Sequence, residues 1–194
     1  MKWSTVFAAG CVALLALNIA LVRQNRQLKA QLSGPAPGME ATSGAPVPDL
    51  RGFDVSGQPL TVTYGQDSRP VLVFVFSPTC AFCEQNWPKW YGIIAAMDRQ
   101  AVRPVAVDVT STATQDFLVQ HQLAGMPVLL KVDPAIVVGY RFQLTPQTIL
   151  IDRSGKVEKV WSGVLSDSSL AEIKSKVAGN KPVAADHGSR AVFH

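Results

Sequence analysis

Two cysteines, Cys80 and Cys83, are separated by two residues in the segment Phe76–Pro88, FSPTCAFCEQNWP. They follow Pro70–Phe76, PVLVFVF, an apolar run that is typical of a strand buried on both faces. Two thiols at this spacing can form a structural disulfide, supply two ligands of a metal site, or act as a reversible redox pair. The elements around them decide among these three uses.

A metal site would need further ligands. Zinc sites in proteins usually combine four Cys or His ligands at recognisable spacing. The third cysteine of the chain, Cys11, stands far away in the sequence, and the three histidines are scattered at His121, His187 and His194. We therefore expect no metal and no cofactor. A copper carrier that uses both thiolates and one histidine, such as His121, stays open as an alternative.

The residues after the pair predict a helix that begins around Cys80 and continues through Glu84–Arg99, with a kink at Pro88. A cysteine in the first turn of a helix lies beside free N–H groups and the positive end of the helix dipole, which stabilise a thiolate. Cys83, one turn further along, could then displace a substrate sulfur from Cys80. On this interpretation, Cys80 is the nucleophile and Cys83 the resolving thiol.

From Asp49 onward, segments typical of strands alternate with segments typical of helices. Hairpins are predicted around Ser56-Gly57 and Ser154-Gly155, where glycine permits a tight turn. Further strands are predicted at Arg103–Val109 and Met126–Val132, and further helices at Thr112–Gln122, Pro134–Arg141 and Asp167–Val177. This order predicts an α/β fold in which a central mixed sheet is flanked by helices.

The composition favours one packed domain with an apolar addition. The chain has 194 residues, of which 47% are hydrophobic and 16% are charged, with a net charge of +4. A length near 200 residues suits one domain and some appended segments. Lys and Arg are spread along the chain and do not cluster with aromatic residues, so we expect no nucleic-acid partner.

The apolar addition is at the amino terminus. Trp3–Val22 contains no charged residue, and about 20 apolar residues suffice for a helix to cross a bilayer. We expect residues 1–22 to be a transmembrane anchor, with an uncleaved or cleavable signal segment as the alternative. Residues 23–45 are expected to form a polar helix extension and a Pro/Gly/Ala-rich linker, residues 46–178 the folded domain, and residues 179–194 a disordered tail.

Three features occur together here: SPTCAFC after a buried strand, a helix containing Pro88, and a distant Thr145-Pro146 that leads into a strand and hairpin. In this order they resemble the thioredoxin-like fold, in particular the membrane-anchored thiol:disulfide oxidoreductases of the TlpA and ResA type. The resemblance covers about Pro46 to Val177. Within it, FDVSGQPLTV resembles the added N-terminal β-hairpin of that group, and LTPQTILIDRSGKV resembles its proline-to-hairpin segment.

The resemblance implies a site built from two distant segments. Pro146 is expected to follow a cis peptide bond and to lie against the two sulfurs, and the Thr145 backbone is expected to pair with an extended substrate. Pro78, two residues before Cys80, and Phe82, between the two cysteines, are expected to contribute to substrate binding. Pro127 also precedes an apolar strand, but the hairpin and last helix follow Pro146, which favours Pro146.

The resemblance also implies a function, that of a membrane-tethered disulfide reductase whose domain faces the periplasm from the inner membrane. Its expected partners are a disulfide-bearing protein client, such as apocytochrome c or a metal-site protein, and a thiol-type electron donor in the membrane. The positive charges of Arg23, Arg26 and Lys29 oppose this orientation, because positive flanks usually stay in the cytoplasm. Thiol peroxidase is the remaining enzyme alternative.

The sequence departs from its relatives at several positions. Thr79 stands where many have tryptophan, and Phe74 stands where thioredoxin has a buried aspartate that helps to move the proton of the resolving cysteine. Glu84, next to Cys83, is a candidate acceptor of that proton, although an acidic residue in the first turn of a helix often only complements the helix dipole. The intervening Ala81-Phe82 pair resembles neither familiar reductants nor familiar oxidants, so it does not indicate the redox direction.

Overall fold

The computed structural model describes residues 14–26 and 41–179. Residues 14–26 form helix α1, whose side chains are exposed. The anchor expected at 1–22 falls partly outside the described residues, as do residues 27–40 of the expected linker and all but Gly179 of the expected tail. Across the two described ranges, no helix combines the length and the apolar character that crossing a membrane requires.

The folded part contains a two-stranded hairpin, a five-stranded mixed sheet and four helices. The hairpin pairs β1 (Leu50–Phe53) with β2 (Pro59–Val62) in antiparallel register. The sheet has the order β5-β4-β3-β6-β7 and is made of β3 (Val71–Phe76), β4 (Arg103–Asp108), β5 (Val128–Leu129), β6 (Gln147–Ile151) and β7 (Val157–Ser162). The helices are α2 (Ala81–Ala96), α3 (Gln115–Gln120), α4 (Pro134–Tyr140) and α5 (Asp167–Val177).

The mixed sheet flanked by helices confirms the predicted fold class. Strand β3 is parallel to β4, and β4 is parallel to β5, whereas β6 is antiparallel to both β3 and β7. The hairpin adjoins the sheet through a bridge between Phe53 and Leu130. The packed structure begins before residue 46, because the Gly44 N–H donates to the Val157 carbonyl at 2.7 Å and the Val157 N–H donates to Ala45 at 3.0 Å.

Strand β3 is the central strand of the five-stranded sheet, and all six of its residues are buried. Its side chains alternate between two cores, as a strand with a period of two requires. Leu72, Phe74 and Phe76 face the core that includes residues of α2, α3 and α5, whereas the three valines face the core under α4 and the hairpin. This double burial explains why the strand reads as a continuous apolar run.

Helix α2 is fixed to the sheet by one buried polar contact among aromatic side chains. The Trp90 indole N–H donates to the Thr148 hydroxyl on β6 at 2.9 Å. The Trp90 ring also meets Phe74 edge-on, with centroids 5.6 Å apart. Phe74 thus contributes an aromatic packing surface at the position where the resemblance suggests a carboxylate.

Replacing Thr148 with valine tests the polar contact. The substitution preserves side-chain size but leaves the buried Trp90 N–H without an acceptor, so we expect the free energy of unfolding to fall by about 1–3 kcal/mol. Guanidinium unfolding of the full chain measures this change. The control Thr61→Val removes an exposed hydroxyl on β2 and should change stability by less than about 0.5 kcal/mol. If Thr148→Val also changed the free energy of unfolding by less than about 0.5 kcal/mol, the hydrogen bond from Trp90 to Thr148 would not stabilise the fold.

Candidate functional site

Cys80 lies in the connection between the end of strand β3 and the start of helix α2. It is the N-cap of α2, with extended backbone angles of φ −89° and ψ 113°, so the helix begins one residue later than the cysteine. The Cys80 carbonyl accepts from the backbone N–H groups of Cys83 at 2.9 Å and of Glu84 at 3.2 Å. Both cysteines are free thiols; Cys80 is partly exposed and Cys83 is fully buried.

The pairing of β3 with β6 brings the second predicted segment to this point. Because the two strands are antiparallel and Val75 faces Gln147, the residues that precede β6 lie beside the residues that follow β3. The Thr145–Pro146 peptide bond is cis. The Cys80 thiol donates to the Thr145 carbonyl at a sulfur–oxygen distance of 3.6 Å. The structure therefore brings Cys80 together with a segment 65 residues away.

The surroundings of Cys80 lower the pKa of its thiol below the ordinary value of 9.0. Partial burial alone would raise this pKa, but hydrogen bonds to the thiolate from the Thr145 and Cys83 side chains and from the Cys83 and Phe82 backbone outweigh it. The two backbone N–H groups belong to the second and third residues of α2. These are the N–H groups that commonly donate to the side chain of an N-cap residue. The helix start therefore favours the thiolate.

Cys83 has the opposite setting. Burial, the largest cause, and the neighbouring Cys80 together raise the pKa of its thiol to about 12. A backbone hydrogen bond from Ser77 and one from the Thr145 side chain act in the other direction but are outweighed. At neutral pH, Cys80 therefore has the greater thiolate character of the two, and Cys83 is held as a protected thiol.

The remaining predicted substrate-binding residues lie at the surface around the cysteines. Phe82, in the first turn of α2, is 60% exposed although it is aromatic. Pro78 is half-buried in the turn that precedes Cys80. The Pro146 carbonyl accepts from the Gly163 N–H at 2.8 Å, which ties the proline segment to the end of β7. Val164, next to that tie, is also exposed.

His121 is packed among aromatic side chains. Its ring centroid lies 4.3 Å from that of Trp87 and 4.2 Å from that of Phe117. Its Nδ1 shares a hydrogen bond with the Tyr91 hydroxyl at 2.8 Å, and burial lowers its pKa. Within residues 14–26 and 41–179, no three Cys, His, Asp or Glu side chains are grouped as metal ligands, so His121 does not join the two thiols in such a group.

Sequence reasoning missed a hydroxyl network behind the site. Asp108 is fully buried at the end of β4, where it accepts from the backbone N–H groups of Thr110, Thr112 and Ala113. The Thr110 hydroxyl donates to Asp108 at 2.7 Å and contacts the Ser77 hydroxyl at 3.3 Å. Ser77 lies three residues before Cys80, so the network connects the loop after β4 to the cysteine turn. The signal was an acidic residue that ends an apolar strand, followed by several Thr and Ser residues.

Glu84, the candidate proton acceptor, is exposed in the first turn of α2. Burial raises the pKa of Tyr91 and the Glu84 charge adds to this effect, whereas for His121 the same charge only partly offsets the lowering by burial. It is not among the groups that shift the pKa of Cys83. The role of Glu84 as a proton acceptor therefore remains a prediction. Its position in the first turn of α2 suits an acidic residue that interacts favourably with the helix dipole.

The pKa of Cys80 can be tested through Thr145. In a Cys11→Ala background, the pH midpoint of Cys80 alkylation by iodoacetamide should lie below 9, the ordinary value. Thr145→Val should raise that midpoint, because it removes the side-chain hydrogen bond that favours the thiolate. The matched control Thr79→Val removes a hydroxyl that contacts Ser77 and should leave the midpoint unchanged. An unchanged or lowered midpoint in Thr145→Val would show that its side chain does not stabilise the thiolate.

Several solved structures share this architecture. StoA from Bacillus subtilis superposes with a TM-score of 0.53 at 17% identity, over 69% of this chain and 98% of its own. A putative thiol:disulfide interchange protein DsbE from Chlorobium tepidum gives 0.56 at 22% identity, over 71% and 96%. The thioredoxin domain of a thiol-disulfide oxidoreductase from Bacteroides vulgatus gives 0.52 at 19%, over 70% and 98%.

No family model and no curated protein sequence matches the chain. The structural similarities span nearly the whole length of the compared proteins, but the identities are low. At such identities the similarity concerns the fold. The folded part of this chain therefore has a thioredoxin-like fold.

Proposed function

We propose that this protein is a thiol:disulfide oxidoreductase that exchanges the Cys80–Cys83 dithiol with the disulfide of a protein client. The observation that carries the proposal is the different setting of the two sulfurs. Cys80 is accessible, has a lowered pKa and lies against the Thr145 carbonyl, while Cys83 is buried one turn away with a raised pKa. A nucleophile and a protected resolving thiol require this division.

The first step is attack by the Cys80 thiolate on one sulfur of the client disulfide. A new S–S bond forms between Cys80 and the client, the client S–S bond breaks, and the leaving sulfur takes the electron pair and then a proton from solvent. Attack also removes the negative charge from Cys80. Since that charge contributes to the raised pKa of Cys83, the mixed disulfide makes Cys83 easier to ionise.

The second step is attack by Cys83 on the Cys80 sulfur. Cys83 loses its proton, the Cys80–Cys83 bond forms, and the second client sulfur leaves and is protonated. The client has then gained two electrons and two protons, and the dithiol has lost them. A thiol-type donor must reduce Cys80–Cys83 before another cycle.

The client is proposed to bind as an extended peptide along the Thr145–Pro146 segment. The cis geometry at Pro146 and the contact between Thr145 and Cys80 support this placement, because a peptide there would have its sulfur next to Cys80. Phe82 and Pro78 would contact client side chains near the disulfide, and the exposure of Phe82 supports such a contact.

The resemblance and the amino terminus support a proposal for the direction and the location of the reaction. We propose a reductase tethered to the inner membrane by residues 1–22, with its domain in the periplasm. The absence of charge from Trp3–Val22 supports the tether. An oxidising compartment supplies client disulfides, such as those of apocytochrome c or a metal-site protein, and a thiol-type donor in the membrane would supply electrons.

Single cysteine variants test the exchange mechanism. With a disulfide-containing peptide and dithiothreitol, Cys80→Ser should reduce the rate to the uncatalysed level, because the nucleophile is lost. Incubated with the peptide in the absence of dithiothreitol, which would reduce the product, Cys83→Ser should accumulate a mixed disulfide between Cys80 and the peptide, visible by mass spectrometry. Cys11→Ser is the matched control and should retain the rate of the unmodified chain. Full activity in Cys80→Ser would refute the assignment of the nucleophile.

The redox potential tests the direction of the reaction. Equilibration of the full chain with glutathione buffers should give a Cys80–Cys83 potential below about −200 mV, on the side of thioredoxin and away from strong oxidants near −120 mV. Alkylation of the remaining thiols followed by mass spectrometry reports the oxidised fraction. A potential above about −200 mV would contradict the reductase and would leave the exchange mechanism itself intact.

A further inference from the structure

A pocket of about 340 Å³ lies at the end of the sheet opposite to the cysteines. Cys80 follows the last residue of β3, whereas the pocket is lined by Arg69, which precedes β3, and by Arg103, which starts β4 beside Val71. The other walls come from the residues of β2 and from the loop before β5. The pocket is therefore separate from the thiol site.

The charge of this pocket is positive. Arg69, Arg99 and Arg103 line it, and its lining contains no acidic residue. Asp67 is the acidic neighbour, and it already accepts from Arg69 through Nε, at 2.9 Å, and through Nη2. Three guanidinium groups and one carboxylate leave a formal charge of +2. An anion would therefore be attracted to the pocket.

Two of these guanidinium groups are held in place by the backbone. Arg99 Nη1 donates to the Gly125 carbonyl at 2.7 Å, and Arg103 Nη2 donates to the Thr63 carbonyl at 2.8 Å. These bonds join segments that are distant in sequence and help to orient both groups. An anion would therefore meet guanidinium groups that are already oriented, which reduces the entropy lost on binding.

Arg103 is the less exposed of these two arginines. Arg103 Nε is buried and forms an ion pair with an Asp67 carboxylate oxygen at 3.6 Å, too long for a hydrogen bond. The side chain of Arg103 is only 20% exposed, so water reaches it poorly. Arg103 therefore contributes its charge to the pocket, whereas the exposed Arg99 can hydrogen-bond an anion directly.

The remaining walls are mostly apolar. They are formed by Leu60, Val62, Pro104, Val105, Met126 and Pro127. Small-molecule sites commonly combine such walls with a few oriented polar groups, in volumes upward of about 300 Å³. We propose that this pocket binds a small amphipathic anion, whose phosphate or carboxylate group pairs with Arg99 and Arg103 and whose apolar part lies against Met126. Either a free metabolite or an anionic lipid offers this chemistry.

Hexyl phosphate is a suitable probe, titrated into the full chain in dodecyl maltoside micelles and followed by calorimetry. We expect saturable binding, and at least about tenfold weaker binding of hexanol and of inorganic phosphate, which each lack one half of the chemistry. Arg99→Gln should weaken hexyl phosphate binding by about tenfold or more, because a charge-assisted hydrogen bond is lost. Arg153→Gln, which removes an exposed arginine on the turn between β6 and β7, should change it by less than about twofold.

Hydrogen exchange on the unmodified chain gives a second measurement that does not depend on a variant folding. Hexyl phosphate should slow exchange in peptides that cover residues 61–63 and 125–127 and leave residues 80–83 unaffected. The proposal is overturned by a lack of saturable binding, by equal weakening in Arg99→Gln and Arg153→Gln, or by protection only elsewhere.

The source of the anion can be separated with lipid nanodiscs. If the natural ligand is a lipid, nanodiscs that contain phosphatidylglycerol should weaken hexyl phosphate binding by competition, relative to nanodiscs of phosphatidylcholine alone. If the ligand is a free metabolite, the two affinities should agree. Both results support the anion site and identify where its ligand comes from.

Discussion

The antiparallel pairing of β3 with β6 determines the geometry of the thiol site. A strand and its antiparallel neighbour place the end of one beside the start of the other, and Val75 faces Gln147 in this pair. Cys80 must then emerge next to Thr145 and Pro146, although more than sixty residues separate them. A slip of one residue would turn every buried side chain of β6 to the wrong face, so the two cores hold this register.

The electrostatic difference between the two thiols follows from where this register places the start of α2. Cys80 is the N-cap residue of the helix, so its sulfur lies beside the first backbone N–H groups of α2, which help to lower its pKa. One turn later, Cys83 lies inside the aromatic core, where burial raises its pKa. The same helix therefore supplies an accessible thiolate and a protected thiol, two sulfurs suited to successive steps of exchange.

Short sequence patterns predicted the individual strands, turns and helices around the site. The apolar run of β3, the two glycine turns and the cysteine spacing indicated the strand, the hairpins and the helix that follows. The resemblance added the Thr145–Pro146 segment. The network of Asp108 and the pocket of Arg99 and Arg103 were missed, because each joins residues from separate segments whose meeting depends on the complete fold. No pattern in one stretch of sequence reports such a meeting.

The central claim is that Cys80 and the Thr145–Pro146 segment form one surface for a client disulfide. Its most direct test is an experimental structure of the full-length Cys83→Ser variant joined by a disulfide to a cysteine-containing peptide. We predict a bond from the peptide sulfur to Cys80 and an extended peptide backbone hydrogen-bonded to Thr145. A peptide that attaches to Cys80 but lies away from Thr145, against another face of the domain, would contradict it.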